Sequence, residues 1–479
     1  MPLILGTNSI KDTGYNVANS CIFDRASSDS MSRSMSDGSS IKSTFSAWVK
    51  VEGLGNEHNI MSHFEDTNNV YSIATSGAGV YINDYNDGYT CQVQTNRVMR
   101  DPSAWFHLYV AIDRSQGTAG NRNLIFINGV QQTSLSSSTN YGQQTSGGHQ
   151  DAISMNDGDC TLYIGQLGNG NQYMGGYLAE VVYLDGTASA VTNFGEFDSD
   201  SGIWKPIDVS GLSSSKGTNG FYLDFQDASN LGNDAFGGTD FSEANIAAVN
   251  QSIDTCTNNF AVMNPLDNYY AATTFSEGNL KAVTNSGNES YNTATIGVAS
   301  GKWYWEVKIV NSSTNGTYGI TDSVTRATNN YLGDDAYDTA YLKDGKVYRD
   351  SGYVSGFSNA NTLTAYDTGA ILMFALDLTN NALYAGHNGT WGNSSDPTSG
   401  ASKTGAIPID AVTSTGTGFY FPAFGEWTGS AAATYSVNFG SPEFAISSGN
   451  TDGSGFGNFE YAVPSGYFAL CTKNLAENG

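Results

Sequence analysis

The stretch SGKWYWEVKIV, residues 300–310, constrains this chain more than any other. Trp303, Trp305, Val307 and Ile309 share one face of an extended segment, and Tyr304, Glu306 and Lys308 share the other. That alternation predicts a strand with one face buried against a second sheet. FSAWVKV (45–51) repeats it, with Phe45, Ala47, Val49 and Val51 inward, and WFHLYVAID (105–113) does so with Phe106, Leu108, Val110 and Ile112. In NLIFINGVQQTS (123–134), Asn128-Gly129 sits between apolar runs, a hairpin signal because both residues tolerate positive φ.

Composition points the same way. Only 14% of residues are charged while 12% are aromatic and 56 are Gly, which suits strands and turns better than exposed amphipathic helices. The net charge of −26 disfavours phosphate backbones and anionic lipid, so neither nucleic-acid binding nor membrane insertion is expected. It also suits solubility in salt-rich water. Five scattered cysteines (Cys21, Cys91, Cys160, Cys256, Cys471) form neither a disulfide framework nor a zinc site and are expected as buried thiols in a protein that folds in a reducing cytoplasm. The opening MPLILGTNSIKDTG has no basic run and four apolar residues together, so no signal peptide is expected. No run approaches the roughly 20 apolar residues that span a bilayer.

After Trp303, the segments TYGITD (317–322), GAILMFALDLTNNALYAGHNG (369–389), FYFPAFG (419–425) and ATYSVNFG (433–440) follow in order, and with it they resemble a SPRY domain. SPRY domains are recognition modules without a reaction of their own. The strands of residues 20–190, with LYIGQLGN (162–169) and YMGGYLAEVVYLDG (173–186), resemble the laminin-G-like branch of concanavalin-type jelly rolls. The expected fold is therefore all-β: two antiparallel β-sandwich, jelly-roll-like domains in series. The expected division is an N-terminal arm at 1–19, a laminin-G-like sandwich at 20–225, a connector at 226–262 where periodicity lapses, and a SPRY-like sandwich at 263–479.

LILGTNSIKDTGYNVANS at the start, FGEFDSDSGIWKP, GFYLDF and TNNFAVMNPL in the middle, and VPSGYFALCTKNL near the end resemble structural proteins of tailed, marine-type bacteriophages. The resemblance implies a virion protein made in the host cytoplasm, a homo-oligomer among other virion proteins. Its arm would pack on a neighbouring subunit or on the particle. A tail fibre or other appendage subunit that attaches to a host-surface glycan or protein is the first expectation. Capsid decoration is the alternative, and a glycan-processing enzyme the reading from another class.

No enzyme is expected. Glu196, Asp198 and Asp200 in EFDSD space carboxylates as some concanavalin-type hydrolases do, but Gly195 and Ser201-Gly202 flank them as in a solvated turn. The five histidines include no HExxH pair, His107 is expected on the outer side of its strand, and no Gly-x-Ser-x-Gly elbow occurs. No cofactor is required. Calcium is the one ion the turns suit, through Asp84, Asn86 and Asp87 in NDYNDG and Asp157 and Asp159 in MNDGD. Carbohydrate contacts are expected where loop aromatics meet amides: Tyr85, Asn86 and Tyr89 in one turn, Trp391 with Asn393, and Trp427 at a strand end.

Overall fold

The computed structural model describes residues 14–145, 153–268, 272–324, 330–427 and 432–479. The chain divides into two compact units between Thr257 and Asn258. Both are built of sheets whose long strands pair antiparallel, and in the second unit the short strand Phe468–Ala469 adds parallel to Lys302–Asn311.

In the first unit, Lys42–Val51 is central to one sheet, between Phe106–Asp113 and Gly176–Asp185. The second sheet centres on His58–Asp66, Asn69–Ser76 and Gly79–Asn86. Phe45, Ala47, Val49 and Val51 pack with Leu108, Val110 and Ile112 against Ile60, Ile73 and Ile82 of the facing sheet in one buried core. Asn128 and Gly129 take φ of 50° and 72° between Asn123–Ile127 and Val130–Gln131, the hairpin expected of that pair.

Residues 226–257 correct the expected connector. Ser242–Ala244 pairs with Ser30–Ser34, Gln251–Ser252 pairs with Ser20–Phe23, and Leu231, Phe241 and Ile246 enter the core. Strands this short, at sheet edges, carry too few residues to show a period. The expected arm differs too. Residues 1–13 lie outside the described residues, but Val17 is buried on its own unit and its N–H donates to Thr257 Oγ1 at 3.2 Å.

His107 is a further correction. It is fully buried, with Trp204 Nε1 donating to its Nδ1 at 3.1 Å and Ser46 Oγ 2.8 Å from its Nε2. The hairpin Gly195–Phe197 and Trp204–Pro206 covers the outer face of that sheet, and burial lowers the imidazole pKa to about 3, so it is neutral. Glu196 and Asp198 of that hairpin each lie 3.4 Å from Lys205 Nζ. All five cysteines are free.

In the second unit, Lys302–Asn311 lies between Thr434–Asn438 and Ile371–Asp377. The other sheet runs in the order Ser290–Thr293, Phe421–Glu426, Gly316–Thr321, Thr339–Leu342, Val347–Arg349, Gly352–Tyr353. Tyr318 and Phe424 of this sheet meet Tyr435 of the first at 5.6 and 5.8 Å, which closes the sandwich. Trp303, Trp305, Val307 and Ile309 are fully buried, as the alternation predicts. So are Tyr304 and Glu306 on the face expected to be polar. The Glu306 carboxylate accepts Glu460 N–H at 3.0 Å, Tyr461 N–H at 2.8 Å and Asn438 Nδ2 at 3.1 Å, so the chain after the last long strand roofs this face through polar bonds.

Candidate functional site: a cleft beside Trp427

A cleft of about 680 Å³ opens in the second unit, with Trp427, Tyr353, Tyr366, Lys343, Asp344 and Asp367 in its lining. Each arrives from a different local device. Trp427 follows the strand Phe421–Glu426, and its N–H donates to Asn315 O at 2.8 Å, tying two loops together. Lys343 and Asp344 sit in the turn after Thr339–Leu342, where Gly345 at φ 85° reverses the chain. Asp350 and Ser351, both left-handed at φ 52° and 54°, turn it again and bring Tyr353 back beside Tyr348 at 5.2 Å. Tyr366 is buried, its hydroxyl donating to Gly316 O at 3.0 Å.

The aromatic side of the cleft has a direction. Trp427 stacks on Tyr331 with centroids 4.8 Å apart, and Tyr348 lies 5.3 Å from the same indole. Tyr331 and Tyr348 are themselves 5.8 Å apart, too close to sandwich the indole from opposite faces. Tyr331 therefore covers one face of Trp427, and Tyr348 does not lie on the face opposite it. The half-buried indole also forms part of the cleft lining.

The charged side is paired. Lys343 Nζ lies 3.2 Å from Asp367 Oδ1, and Lys346 Nζ lies 2.6 Å from Asp344 Oδ2 and 5.2 Å over the Tyr353 ring. The Thr368 N–H, and then Lys343, hold the Asp367 carboxyl below its ordinary pKa. Glu426, the residue before Trp427, is buried. The Ser313 hydroxyl donates to its Oε1, Oε2 has no hydrogen-bond partner among the described residues, and burial pushes the pKa up to about 7.

Of the residues singled out in the sequence, Trp427 alone lines this cleft. Trp391 is half-buried and meets Tyr304 edge-on at 6.4 Å, while Asn393 is left-handed at φ 54° with its Nδ2 donating to Gly405 O at 3.2 Å. Tyr85 and Tyr89 form an edge-to-face pair at 5.2 Å in the first unit, Tyr89 exposed. Asn86 there donates to Asn69 Oδ1 at 2.6 Å, and Asp87 is left-handed in the turn.

Asp84 is a correction as a loop-rim calcium ligand. It faces the core, accepts the Tyr141 hydroxyl at 2.6 Å and the Ser154 N–H at 3.0 Å, and burial raises its pKa to about 6. The strand's alternation reaches one residue further than its apolar residues do, so Asp84 shares the face of Val80 and Ile82. Asp157 caps its own turn, its Oδ1 accepting the Asp159 N–H at 3.0 Å. Among the described residues no group of three His, Cys, Asp or Glu side chains is placed to hold a metal ion. The tyrosines behind Trp427 and the Lys343–Asp367 pair were missed, although the turn signals in LKDGKVYRDSGY (342–353) mark that segment.

No family model and no curated protein matches this chain. Among solved structures it is similar to the SPRY domain of human HERC1, at 16% identity over 36% of this chain and 96% of that one, with a TM-score of 0.27. It is also similar to a putative carbohydrate binding protein from Bacteroides ovatus, at 15% identity over 48% of this chain and 58% of that one, with a TM-score of 0.32. A third is the heptameric SAP-like pentraxin from Limulus polyphemus, at 15% identity over 36% of this chain and 77% of that one, with a TM-score of 0.25.

Proposed function

We propose that this chain is a non-enzymatic recognition protein that binds saccharides in the cleft beside Trp427. One observation carries the reading: an indole stacked on Tyr331, with Tyr348 beside it, lines a cleft together with two carboxylates, a lysine and an amide. A flat ring stacks on the apolar face of a pyranose while such groups take its hydroxyls. The cleft lining holds no histidine or cysteine among the described residues, and Asp367 is held ionised, which suits binding better than proton donation to a leaving group.

The placement on a tailed-phage particle, as a tail appendage subunit, rests on the sequence resemblance of the opening, middle and closing segments. Weak binding per site would gain strength from several copies on one particle. A glycan array probed with the multimeric protein tests the binding, with Trp427→Ala as the control expected to lose it. Gold-labelled antibody on particles tests the placement. Label on tails is expected, and label on heads would replace the appendage reading with capsid decoration.

A further inference from the structure

Resting on the saccharide reading of this cleft, we infer that its ligand is a neutral oligosaccharide, and that glycans carrying carboxylate, sulfate or phosphate are excluded. The inference comes from how the charges at the cleft are spent. The lining presents two carboxylates, Asp344 and Asp367, and one cation, Lys343. Lys343 is already held by Asp367 at 3.2 Å. Lys346, the next cation along the same turn, is held by Asp344 at 2.6 Å and lies over Tyr353. An anionic sugar that reached Lys343 would therefore meet a charge already neutralised by Asp367 and would be repelled by Asp367 and Asp344 beside it. The whole chain adds a net charge of −26 to that repulsion.

A neutral sugar meets the opposite situation. Its hydroxyls can donate to Asp344 and Asp367 and accept from Lys343 without breaking either ion pair, while its apolar face packs on Trp427. A volume of about 680 Å³ falls within the range of sites that enclose a drug-sized ligand, so a short oligosaccharide segment suits it better than a single ring.

The test uses the full chain and calorimetric titration at physiological salt. The probes are neutral oligosaccharides, chosen from those the array shows to bind, and their carboxylated, sulfated and amino-substituted counterparts of the same length. The anionic counterparts are expected to bind about tenfold or more weakly than the neutral ones, a gap that narrows as salt is raised. Asp367→Asn leaves Lys343 without its partner and is expected to raise affinity for the anionic counterparts several-fold. With 79% of the Asp367 side chain exposed, that substitution leaves the fold intact, and a gain of binding cannot come from misfolding.

Wild-type protein that prefers an anionic or an amino-substituted probe while Trp427→Ala abolishes binding overturns the inference and keeps the saccharide reading. An unchanged neutral-to-anionic ratio in Asp367→Asn also overturns it, because the ion pair is then not what selects. Binding that is indifferent to Trp427→Ala, or no saccharide binding at all, overturns the saccharide reading itself.

Discussion

The indole of Trp427 lies on the ring of Tyr331 with 4.8 Å between centroids and 14° between planes. The pair takes one face of the tryptophan out of a ligand's reach. A stacked aromatic pair contributes roughly 0.5–1.5 kcal/mol beyond its buried area. Tyr331→Ala is accordingly expected to weaken saccharide binding by about two- to tenfold, the same energy read as affinity, and to shift the tryptophan fluorescence. Tyr331→Phe, which keeps the ring, should restore both. If Tyr331→Ala binds as tightly as wild type, the stack does not orient the indole.

Trp303→Ala should cost about 3–5 kcal/mol, the range for removing a large buried aromatic side chain. Trp303 is fully buried, and its Nε1 donates to Ser300 O at 2.7 Å. The measurement is the urea midpoint of unfolding, and an unshifted midpoint would contradict the placement of this strand in the core.

Two buried carboxyls should make stability depend on pH. Glu426 and Glu180 both have folded pKa values raised to about 7 from the ordinary 4.5, burial being the main cause. Tyr222 Oη donates to Glu180 at 2.8 Å and Tyr15 Oη at 3.3 Å, and these bonds oppose the rise. The folded state then binds protons that the unfolded state releases. Their contribution is most favourable below about pH 4.5, is lost as the pH rises towards 7, and is flat above it. Glu426→Gln and Glu180→Gln should each reduce that loss and raise stability at pH 8 by about 1–3 kcal/mol. Denaturation at pH 5 and pH 8 checks this, and a pH slope identical in wild type and both variants would refute it.

Lys50 and Asp254 form a buried ion pair at 2.7 Å in the first unit, with Trp105 Nε1 donating to the other carboxylate oxygen at 2.9 Å. Lys50→Met alone should destabilise by about 3–5 kcal/mol, because it strands a charge out of water. Adding Asp254→Leu should recover a large part of that loss. A double variant no more stable than the single one would show that packing at Lys50, rather than charge, sets the cost.

The faces of the long strands were legible from residue order. Phe45 to Val51, Phe106 to Ile112 and Trp303 to Ile309 are buried where alternation places them, and Asn128-Gly129 turns the chain where its backbone freedom predicts. Period two assigns a side chain to one face of a sheet, but it does not say whether that face stays in water. His107 and Glu306 are buried because irregular segments lie over them, held by bonds such as Trp204 Nε1 to His107 and Tyr461 N–H to Glu306. Segments of that kind repeat no pattern.

The candidate site divides in the same way. Trp427 stood out as an aromatic at a strand end beside a turn, and this much is local. Its partners Tyr331 and Tyr348, and the cleft residues Asn315, Lys343 and Asp367, are roughly 60–110 residues away along the chain. Sheet pairing brings them together: Phe421–Glu426 beside Gly316–Thr321, and that strand beside Thr339–Leu342. The sequence by itself determined the strands, their inner faces and several turns, because these depend on neighbours within a few residues. Only the tertiary structure decided which loops would share a cleft, which charges would be spent on one another and which ring would stack on Trp427, because each of these is a contact between residues whose separation along the chain carries no local signal.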